Sequence, residues 1–547
     1  MKTKSVSRSS AWVLAAMIGI ALAACEEDKQ PEEVVSGPTA PLTVSSVISD
    51  PKVGEPGDTL VLTAVVTSSA PNEGDFPVME WTANGGTFLE DNKQTVRWVS
   101  PDDPGVFTIT AKATNHVNSA SGSSTVYIGL GTEIISSLAG QVDLINNGPD
   151  FHYLLTFDVT RGVDSRQYVS GAASDPIPPL VPATGLQLNT TYSLDGTMNA
   201  FAADTTVFAT VIRPRHIYVG NFAAGTYTRL TVDGAKPGLP DRNRFDMPAF
   251  SPNGQVVAYQ RWAQDWNPPQ GTDSFLVYIQ DIVANKRTLV TAEYDFPRAF
   301  FPTFSTDGNW LVYVLDKART GQWELYASPM TGNDVDGSIA ASKRLTNTGG
   351  QIVAGAPRDL KRPPMTWNPV SPVLAIAAAD NALHLIQMTP TGGNDIAVPK
   401  IIRALEVTWS ADGSMLAACF TVTDDEQETF SRISTVTVDG VVTDRITGPK
   451  GDGFRDVAFS PDGNWILYRV TRGGGAWFNA LDIGAGKLSA PVAVTAADLG
   501  GNAGAYRGFM SLAPRWTSGN LMIYPTFTPE SGGTPAIHTR DLNGLVN

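Results

Sequence analysis

The sequence has 547 residues, of which 42% are hydrophobic and 17% charged, and its formal charge is −15 at pH 7. A chain of this length suggests two or three domains, and its excess of acidic residues argues against nucleic acid as a partner. The 51 glycines and 38 prolines favour many short strands joined by turns, so we expect an all-β fold rather than long helices.

Residues 1–24 have the layout of a secretory signal peptide, because three basic residues precede an apolar run over 11–24. The run ends in Leu-Ala-Ala-Cys25, which resembles the lipobox of bacterial lipoproteins. This resemblance implies cleavage before Cys25 and acylation of Cys25, so that the mature protein begins at a lipidated residue. Two alternatives are an ordinary signal peptide followed by an incidental cysteine, and an uncleaved membrane anchor.

Lipidation implies a protein of the bacterial cell envelope that contacts the membrane through its lipid anchor alone. Glu26 follows the cysteine in place of the aspartate associated with inner-membrane retention, which favours the outer membrane and leaves its side open. Residues 25–40 combine acids, proline and glycine without apolar periodicity, and we expect them to form a flexible tether.

Residues 41–130 contain short runs of alternating polar and apolar residues separated by turn formers, the pattern of a small β-sandwich. The segment resembles bacterial Ig-like and PKD-like modules, which place a tryptophan on an early strand, as at Trp81, and a Gly-Val-Phe-Thr-Ile-Thr run before the last strands, as at 105–110. The glycine-aspartate signature of PKD modules is absent from the sequence, so the broader Ig-like label is preferred.

Residues 131–547 carry a repeat in which an aromatic residue, a small polar residue and a turn precede an apolar strand. Most repeats contain Asp-Gly or Asn-Gly, which supports a tight turn between the innermost and second strands and makes these aspartates turn residues rather than catalytic acids. The aromatic anchors lie 42 to 63 residues apart, which suits one four-stranded propeller blade each: Tyr192, Phe250, Phe304, Trp367, Trp409, Phe459 and Trp516.

The repeat resembles the WD-like repeats of TolB-type proteins over roughly residues 150–547. This resemblance implies a seven-bladed β-propeller of four-stranded blades. The last blade ends soon after its third strand, so its outer strand is expected from about 150–170, where 151–159 and 165–170 have strand patterns. Such closure joins the two ends of the ring and removes exposed sheet edges.

The sequence shows no constellation of catalytic or metal-binding residues. The five histidines have no HxH or HExxH spacing, and no G-x-S-x-G pentapeptide occurs. Cys419 lies in an apolar stretch and is expected to be buried, while His384 and His538 fall where other blades place a tyrosine. We therefore predict that the protein is not an enzyme and has no metal site or cofactor, with Ca²⁺ in an acidic loop an open but unsupported alternative.

Arginines precede the anchor in six of the seven repeats, at Arg244, Arg298, Arg362, Arg403, Arg455 and Arg507. At this level the chain enters the innermost strand, near one mouth of the central channel. A ring of guanidinium groups there could bind a carboxylate or phosphate group. The alternative is that each arginine pairs with a local acid, since acids lie within a few residues of most of them.

A second candidate site is the longer loop of the second blade, which contains Trp262 and Trp266. Exposed tryptophans can stack on sugars or anchor a protein partner. The alternative is that these two side chains cap the blade from outside.

These features predict a non-catalytic envelope lipoprotein whose propeller binds another envelope protein or a cell-wall polysaccharide such as peptidoglycan. The alternative is a carbohydrate-active hydrolase or lyase that acts at the channel mouth. That alternative requires two carboxylates about 5 to 10 Å apart in an open cleft.

Overall fold

The structure is a computed structural model, and it describes these residues: 42–50, 53–68, 77–115, 118–129, 131–135, 142–146, 152–158, 162–169, 172–173, 190–193, 197–204, 215–221, 224, 226–231, 244–263, 274–290, 298–317, 320–335, 341–353, 365–472, 475–489, 491–494, 514–516, 520–527 and 535–546. The signal, Cys25 and the tether predicted at 25–40 lie outside them.

The first eight strands form a sandwich of two four-stranded sheets, with orders β1-β3-β6-β5 and β2-β8-β7-β4. Alternation of apolar and polar residues places one face of each sheet in the core, where Trp81, Trp98 and Ile109 are buried. The strands are β1 Leu42–Asp50, β2 Val53–Gly54, β3 Thr59–Ser68, β4 Val78–Ala83, β5 Thr87–Phe88, β6 Thr95–Val99, β7 Gly105–Thr114 and β8 Ser119–Ile128.

The next strand, β9 Thr132–Ile135, starts just after the sandwich ends and pairs with a strand near the C-terminus. Four further strands then form an antiparallel sheet in chain order, which we call the N-terminal sheet: β10 Val142–Asn146, β11 His152–Asp158, β12 Gly162–Val169 and β13 Ala172–Ala173.

Seven blades follow, each beginning near one of the predicted anchors. Blade 1 contains β14 Thr190–Tyr192, β15 Met198–Asp204, β16 Arg215–Asn221 and β17 Thr226–Arg229. Blade 2 contains β18 Arg244–Phe250, β19 Val256–Ala263, β20 Ser274–Asp281 and β21 Lys286–Leu289. Blade 3 contains β22 Ala299–Phe304, β23 Trp310–Leu315, β24 Glu324–Thr331, β25 Asp334–Val335 and β26 Lys343–Arg344.

Blades 4 to 7 continue the same up-and-down order. Blade 4 contains β27 Met365–Trp367, β28 Val373–Ala377, β29 Leu383–Thr389 and β30 Gly392–Val398, and blade 5 contains β31 Glu406–Trp409, β32 Met415–Thr423, β33 Thr429–Thr437 and β34 Val442–Thr447. Blade 6 contains β35 Gly453–Phe459, β36 Trp465–Arg472, β37 Gly475–Asp482 and β38 Ala493–Val494. Blade 7 contains β39 Arg515–Trp516, β40 Leu521–Phe527 and β41 Pro535–Asp541, and the helix α1 Asn543–Val546 follows.

The closing strand is β9, which pairs antiparallel with β41 as the fourth strand of blade 7. The expectation of a closing strand from 150–170 was therefore wrong. Both candidate segments overlap β11 and β12, which pair with each other in the N-terminal sheet. The pattern of apolar and polar residues identified both segments as strands, but such a pattern does not determine which strand each one pairs with.

All seven predicted blades are present, and the described chain adds one four-stranded sheet that the repeat did not reveal. In this N-terminal sheet, β10 lies beside β39 and β13 beside β9, so it adjoins blade 7. After the sandwich, the described strands form five four-stranded sheets, a five-stranded sheet in blade 3, and an eight-stranded sheet in which the pairing of Arg215 with Arg244 joins blades 1 and 2. The N-terminal sheet carries no aromatic anchor with an Asp-Gly turn, which is why a search for that motif misses it.

The propeller core lies between successive blades rather than at a single centre. Phe300 and Trp323 of blade 3 pack against Leu374 of blade 4, while Ile433 of blade 5 shares a cluster with Tyr468 of blade 6. Full burial of such side chains contributes about 1.5–3 kcal/mol each. Among the described residues, no helix has the length and apolarity needed to cross a membrane.

Candidate functional site

The channel has two chemically different ends. Inner strands of a propeller run in one direction along the channel, so the turns that follow the anchors meet at one end, which we call the turn end. The segments that precede the inner strands meet at the opposite end, the loop end. The predicted arginines belong to the loop end.

The turn end is built from a repeated hydrogen-bond network. Ser410 Oγ donates to Asp412 Oδ1 at 2.6 Å, and the N–H of Met415 donates to Ser410 Oγ at 3.0 Å. Hydrogen bonds from Ser410 and from the N–H of Ser414 hold the pKa of Asp412 below its ordinary value. These aspartates act as turn residues, and the same network recurs at Ser305 with Asp307 and at Ser460 with Asp462.

The turn glycines also pack one blade against the next. Gly413 has φ +70°, and an added Cβ would overlap the side chain of Asn368 in blade 4. Asn368 Nδ2 donates to the Gly413 carbonyl at 2.6 Å. At the turn end, most backbone groups and short polar side chains thus form hydrogen bonds within or between the turns. The loop end is the surface whose side chains differ more from blade to blade.

The loop end contains β-bulges that the sequence did not reveal. In β18, β22 and β35, pairing shifts register near a non-glycine residue with positive φ: Met247 at 51°, Phe301 at 53° and Asp456 at 56°. This conformation costs roughly 1–2 kcal/mol for such residues, and a bulge changes the direction in which neighbouring side chains point.

Two bulges bind a side chain of the preceding blade. The N–H of Phe301 donates to Gln260 Oε1 at 3.0 Å, which links blade 3 to blade 2. The N–H of Val457, next to the Asp456 bulge, donates to Glu406 Oε2 at 3.2 Å, which links blade 6 to blade 5. The bulges therefore connect neighbouring blades.

The second of these links forms a mixed-charge group that we call the Glu406 cluster: Glu406, Arg455, Asp456 and Arg469. Asp456 is buried and forms an ion pair with Arg469 of the same blade. Burial and the nearby Asp456 charge raise the pKa of Glu406 to about 8, although the Val457 N–H and Arg455 oppose the increase. The Glu406 side chain is half-buried.

Two of the predicted arginines have structural partners. Arg298 Nη1 lies 3.8 Å from Asp316 Oδ2, and the Asp316 side chain is completely buried. The Arg244 guanidinium lies over the Trp262 ring, 5.5 Å from its centroid. These contacts agree with the alternative in which the arginines support local structure.

Of the other two described arginines, only Arg403 is more accessible than Arg244 and Arg298. Arg403 is exposed, and its Nε donates to Asn381 Oδ1 of blade 4 at 2.7 Å. Arg455 is half-buried beside Glu406, and its Nη1 donates to the Phe454 carbonyl at 3.4 Å. Arg362 and Arg507 lie outside the described residues, so the ring of six arginines stays a prediction.

Trp262 packs within the propeller instead of presenting a free ring. It stands opposite Arg244 in the β18–β19 pairing and is half-buried. Its ring lies parallel to Phe275, with the centroids 6.0 Å apart. The expectation of an exposed Trp262 platform is therefore corrected, because the ring fills the seam between blades 2 and 3; Trp266 lies outside the described residues.

Both histidines singled out on third strands are buried. His384 Nε2 lies 2.9 Å from Asp380 Oδ2, and its Nδ1 lies 2.9 Å from Asp395 Oδ1. Burial opposes protonation, but the two carboxylates outweigh it and raise the pKa of His384 above its ordinary value. Burial lowers the pKa of His538 to about 4. Within the described ranges, no group of three His, Cys, Asp or Glu side chains could hold a metal ion.

The Glu406 cluster is the part of the site that sequence reasoning missed. Glu406 and Asp456 were noted only as acids near arginines, and no motif marks them. The signal that could have identified them is their position: each lies three residues before its anchor, Trp409 or Phe459. Cys419 was correctly expected to be buried, and its thiol donates to the Phe454 carbonyl at 3.1 Å.

The described fold can be compared with known proteins. No protein-family model matches the sequence, and no curated protein does. The chain is similar to an oligogalacturonate lyase from Vibrio parahaemolyticus at 10% identity and a TM-score of 0.40, over 90% of this chain and 100% of that one. It is similar to a prolyl endopeptidase at 11% identity and a TM-score of 0.43, over 73% of this chain and 54% of that one.

A third similar structure is the β-propeller domain of Swd1 from Myceliophteria thermophila, at 8% identity and a TM-score of 0.36, over 65% of this chain and 96% of that domain. The strand pairing of the described residues confirms the all-β propeller fold predicted from the repeat.

The prediction that the protein is not an enzyme is corrected by the same comparisons. The solved structures to which the chain is similar include an oligogalacturonate lyase and a prolyl endopeptidase. The absence of a motif in a linear sequence was too weak a ground for excluding catalysis, because a propeller assembles sites from distant blades. We therefore withdraw that prediction.

Proposed function

We propose that this chain is a lipid-anchored protein of the bacterial envelope whose propeller binds an envelope partner, either a protein or a cell-wall polysaccharide, at its loop end. The observation that carries the proposal is the contrast between the two ends of the channel. The turn end consists of hydrogen-bonded turns, whereas the loop end between blades 4 and 6 combines exposed Arg403 with the Glu406 cluster.

The proposed site offers both kinds of polar contact that a glycan or an acidic peptide requires. Guanidinium groups at Arg403 and Arg455 favour carboxylates, which they bind through paired N–H donors. A protonated Glu406 can donate a hydrogen bond to a hydroxyl or carbonyl oxygen. The partner class that fits is therefore an acidic or hydroxyl-rich envelope molecule.

Charge changes at the two ends of blade 5 test this proposal. Arg403→Glu at the loop end should weaken binding about tenfold or more, since a hydrogen bond to a charged group contributes about 1.5–3 kcal/mol. Ala411→Glu, at an exposed position of the turn end, is the matched control and should bind normally. Binding to purified peptidoglycan and recovery of proteins from envelope extract provide two readouts. An equal loss of binding in both variants, or no loss of binding in either, would contradict a binding site at the loop end.

The proposed membrane anchor rests on the lipobox resemblance of Cys25. About 16 residues separate Cys25 from β1, and an extended chain of that length spans up to about 55 Å. The sandwich and propeller could therefore stand well clear of the bilayer.

The anchor is tested with Cys25→Ala in the full-length chain. We expect this variant to lose incorporation of labelled palmitate and to leave the membrane fraction, because it cannot be acylated. A variant that stays with the membrane through washing would favour an uncleaved anchor instead.

A second candidate function is carbohydrate cleavage by a hydrolase or lyase at the same site. It is favoured by one observation, the half-buried Glu406 with a raised pKa next to a second carboxyl, Asp456, that is paired with Arg469. Acid–base enzymes commonly hold two carboxyl groups in such different environments. Glu406→Gln should then abolish turnover of acidic or neutral envelope glycans while leaving binding within about threefold. Turnover unchanged in Glu406→Gln would remove this candidate.

A further inference from the structure

The sandwich and the closing seam of the propeller are directly connected. The last sandwich strand, β8, ends at Ile128, and the closing strand β9 begins at Thr132. Gly129 and Gly131 in this short connection have φ +81° and +79°. An added Cβ at Gly131 would overlap the Thr539 carbonyl oxygen of β41, so the connection runs tightly against blade 7.

The closing pairing itself is short. β9 has four residues, and its pairing with β41 shifts register between Ile537 and His538. By comparison, β40 pairs with β41 along seven residues. A short, irregular strand provides few hydrogen bonds at the seam that joins the two ends of the ring, so other contacts must contribute to closure.

Sandwich side chains contact the propeller near this seam. Glu55, in the turn before β3, forms an ion pair with Arg540 of β41. Tyr127 of β8 is buried and packs with partly buried Trp477 of blade 6 and Val106 of β7. The guanidinium of Arg472 lies 5.6 Å from the Trp477 ring centroid. The sandwich therefore touches both blade 6 and blade 7.

We propose that the sandwich has a second role besides extending the molecule from the membrane: it is a clamp that keeps the propeller ring closed. It positions β9 through the connection at Gly131, and it bridges blades 6 and 7 through Trp477 and Arg540. Opening of the seam then requires the sandwich to separate from the propeller, so the stability of closure depends on the sandwich interface. This role is independent of the ligand bound at the loop end.

The test inserts a flexible Gly-Ser segment of about 12 residues after Gly129 in the full-length chain, which loosens the connection without removing a contact residue. We expect hydrogen exchange of β9 and β41 amides to increase about tenfold or more, while amides of β32 and β33 in blade 5 keep their rates. The matched control places the same insertion in the exposed turn at Glu426 of blade 5. Unchanged exchange at β9 and β41 would overturn the clamp.

A second measurement does not depend on the insertion variant folding. Glu55→Gln, Arg540→Gln and the double variant form a mutant cycle, with the Glu428–Lys450 ion pair at the surface of blade 5 as the control cycle. The clamp predicts that each single substitution at the sandwich interface raises the hydrogen-exchange rates of the β9 amides. The double variant should exchange little faster than either single variant. Exchange in β9 that responds to neither substitution would also overturn it.

Discussion

At the scale of single residues, two histidines at equivalent strand positions have opposite electrostatic environments. His384 on β29 lies between Asp380 and Asp395, whereas His538 on β41 is buried beside Tyr524, with ring centroids 6.3 Å apart. Carboxylates favour the imidazolium form, and burial without compensating charge favours the neutral form. The two side chains should therefore respond to pH in opposite directions.

His384→Gln should destabilise the protein more in mild acid than in alkali. The folded-state pKa of His384 is raised, so its stabilising effect is complete below the ordinary pKa of about 6.5 and is lost as pH rises through the folded value. Because the substitution removes one partner of a buried ion pair, we expect the free energy of unfolding to fall by about 3–5 kcal/mol at pH 5.5 and by less near pH 9, in urea unfolding followed by tryptophan fluorescence. A loss that does not depend on pH would indicate that only packing is affected.

His538 should make the protein sensitive to acid. Its folded pKa of about 4 lies below the ordinary value, so the unfolded chain binds the extra proton first and stability falls as pH drops from about 6.5 to about 4. The largest decrease in the free energy of unfolding from this residue is on the order of 3 kcal/mol. His538→Phe should flatten the stability profile in that window, measured by calorimetry at several pH values. An unchanged slope would assign the acid sensitivity to other groups.

At the scale of elements, the closing strand depends on a glycine that no other residue can replace without strain. Gly131 combines φ +79° with a close approach to the Thr539 carbonyl, whereas Gly321 has the same φ +79° and open space around it. Alanine at either position would be destabilised by about 1–2 kcal/mol because of the positive φ. Only at position 131 would its Cβ also clash with the backbone.

Gly131→Ala should therefore lower the free energy of unfolding more than Gly321→Ala, by an additional 1–3 kcal/mol or so. The difference between the two variants, measured by denaturant unfolding, isolates the close approach from the conformational cost. Equal losses would mean that β9 can shift away from β41 without cost.

The turns and blades could be predicted from sequence, while the bulges and the closing strand could not. Ser-x-Asp-Gly turns depend on local hydrogen bonds, such as those around Asp412, and local chemistry can be read from neighbouring residues. The bulge at Asp456 and the pairing of β9 with β41 depend on residues far apart in the chain. The N-terminal sheet was missed because it lacks the repeated anchor.

The same distinction applies to the candidate site. Arg403 and Arg455 were found because an arginine recurs a few residues before most anchors, six before Trp409 and four before Phe459, but the role of Glu406 depends on a backbone N–H supplied by the next blade. Trp262 was a candidate surface residue because it lies near the start of the longer loop of the second blade. Pairing with β18 brings it beside Arg244 and Phe275, a contact that sequence spacing does not show.

At the scale of the whole molecule, three parts act in sequence: a proposed lipid anchor and tether, a sandwich packed on blades 6 and 7, and a propeller whose loop end is the proposed binding surface. The sandwich links the first to the last through the short connection at Gly131. The contacts of the sandwich with blades 6 and 7 set the direction in which the loop end points relative to the start of the sandwich, and the proposed tether would allow the whole unit to reach its partner.

Site-specific photo-crosslinking in living cells tests the central claim most directly. A benzophenone amino acid is placed at Arg403 or at Ala411, which are exposed positions before and after the same inner strand, β31. We predict an ultraviolet-dependent adduct with an envelope protein or with peptidoglycan from position 403 and none from position 411. Adducts from position 411 alone, or equal adducts from both, would contradict a binding surface at the loop end.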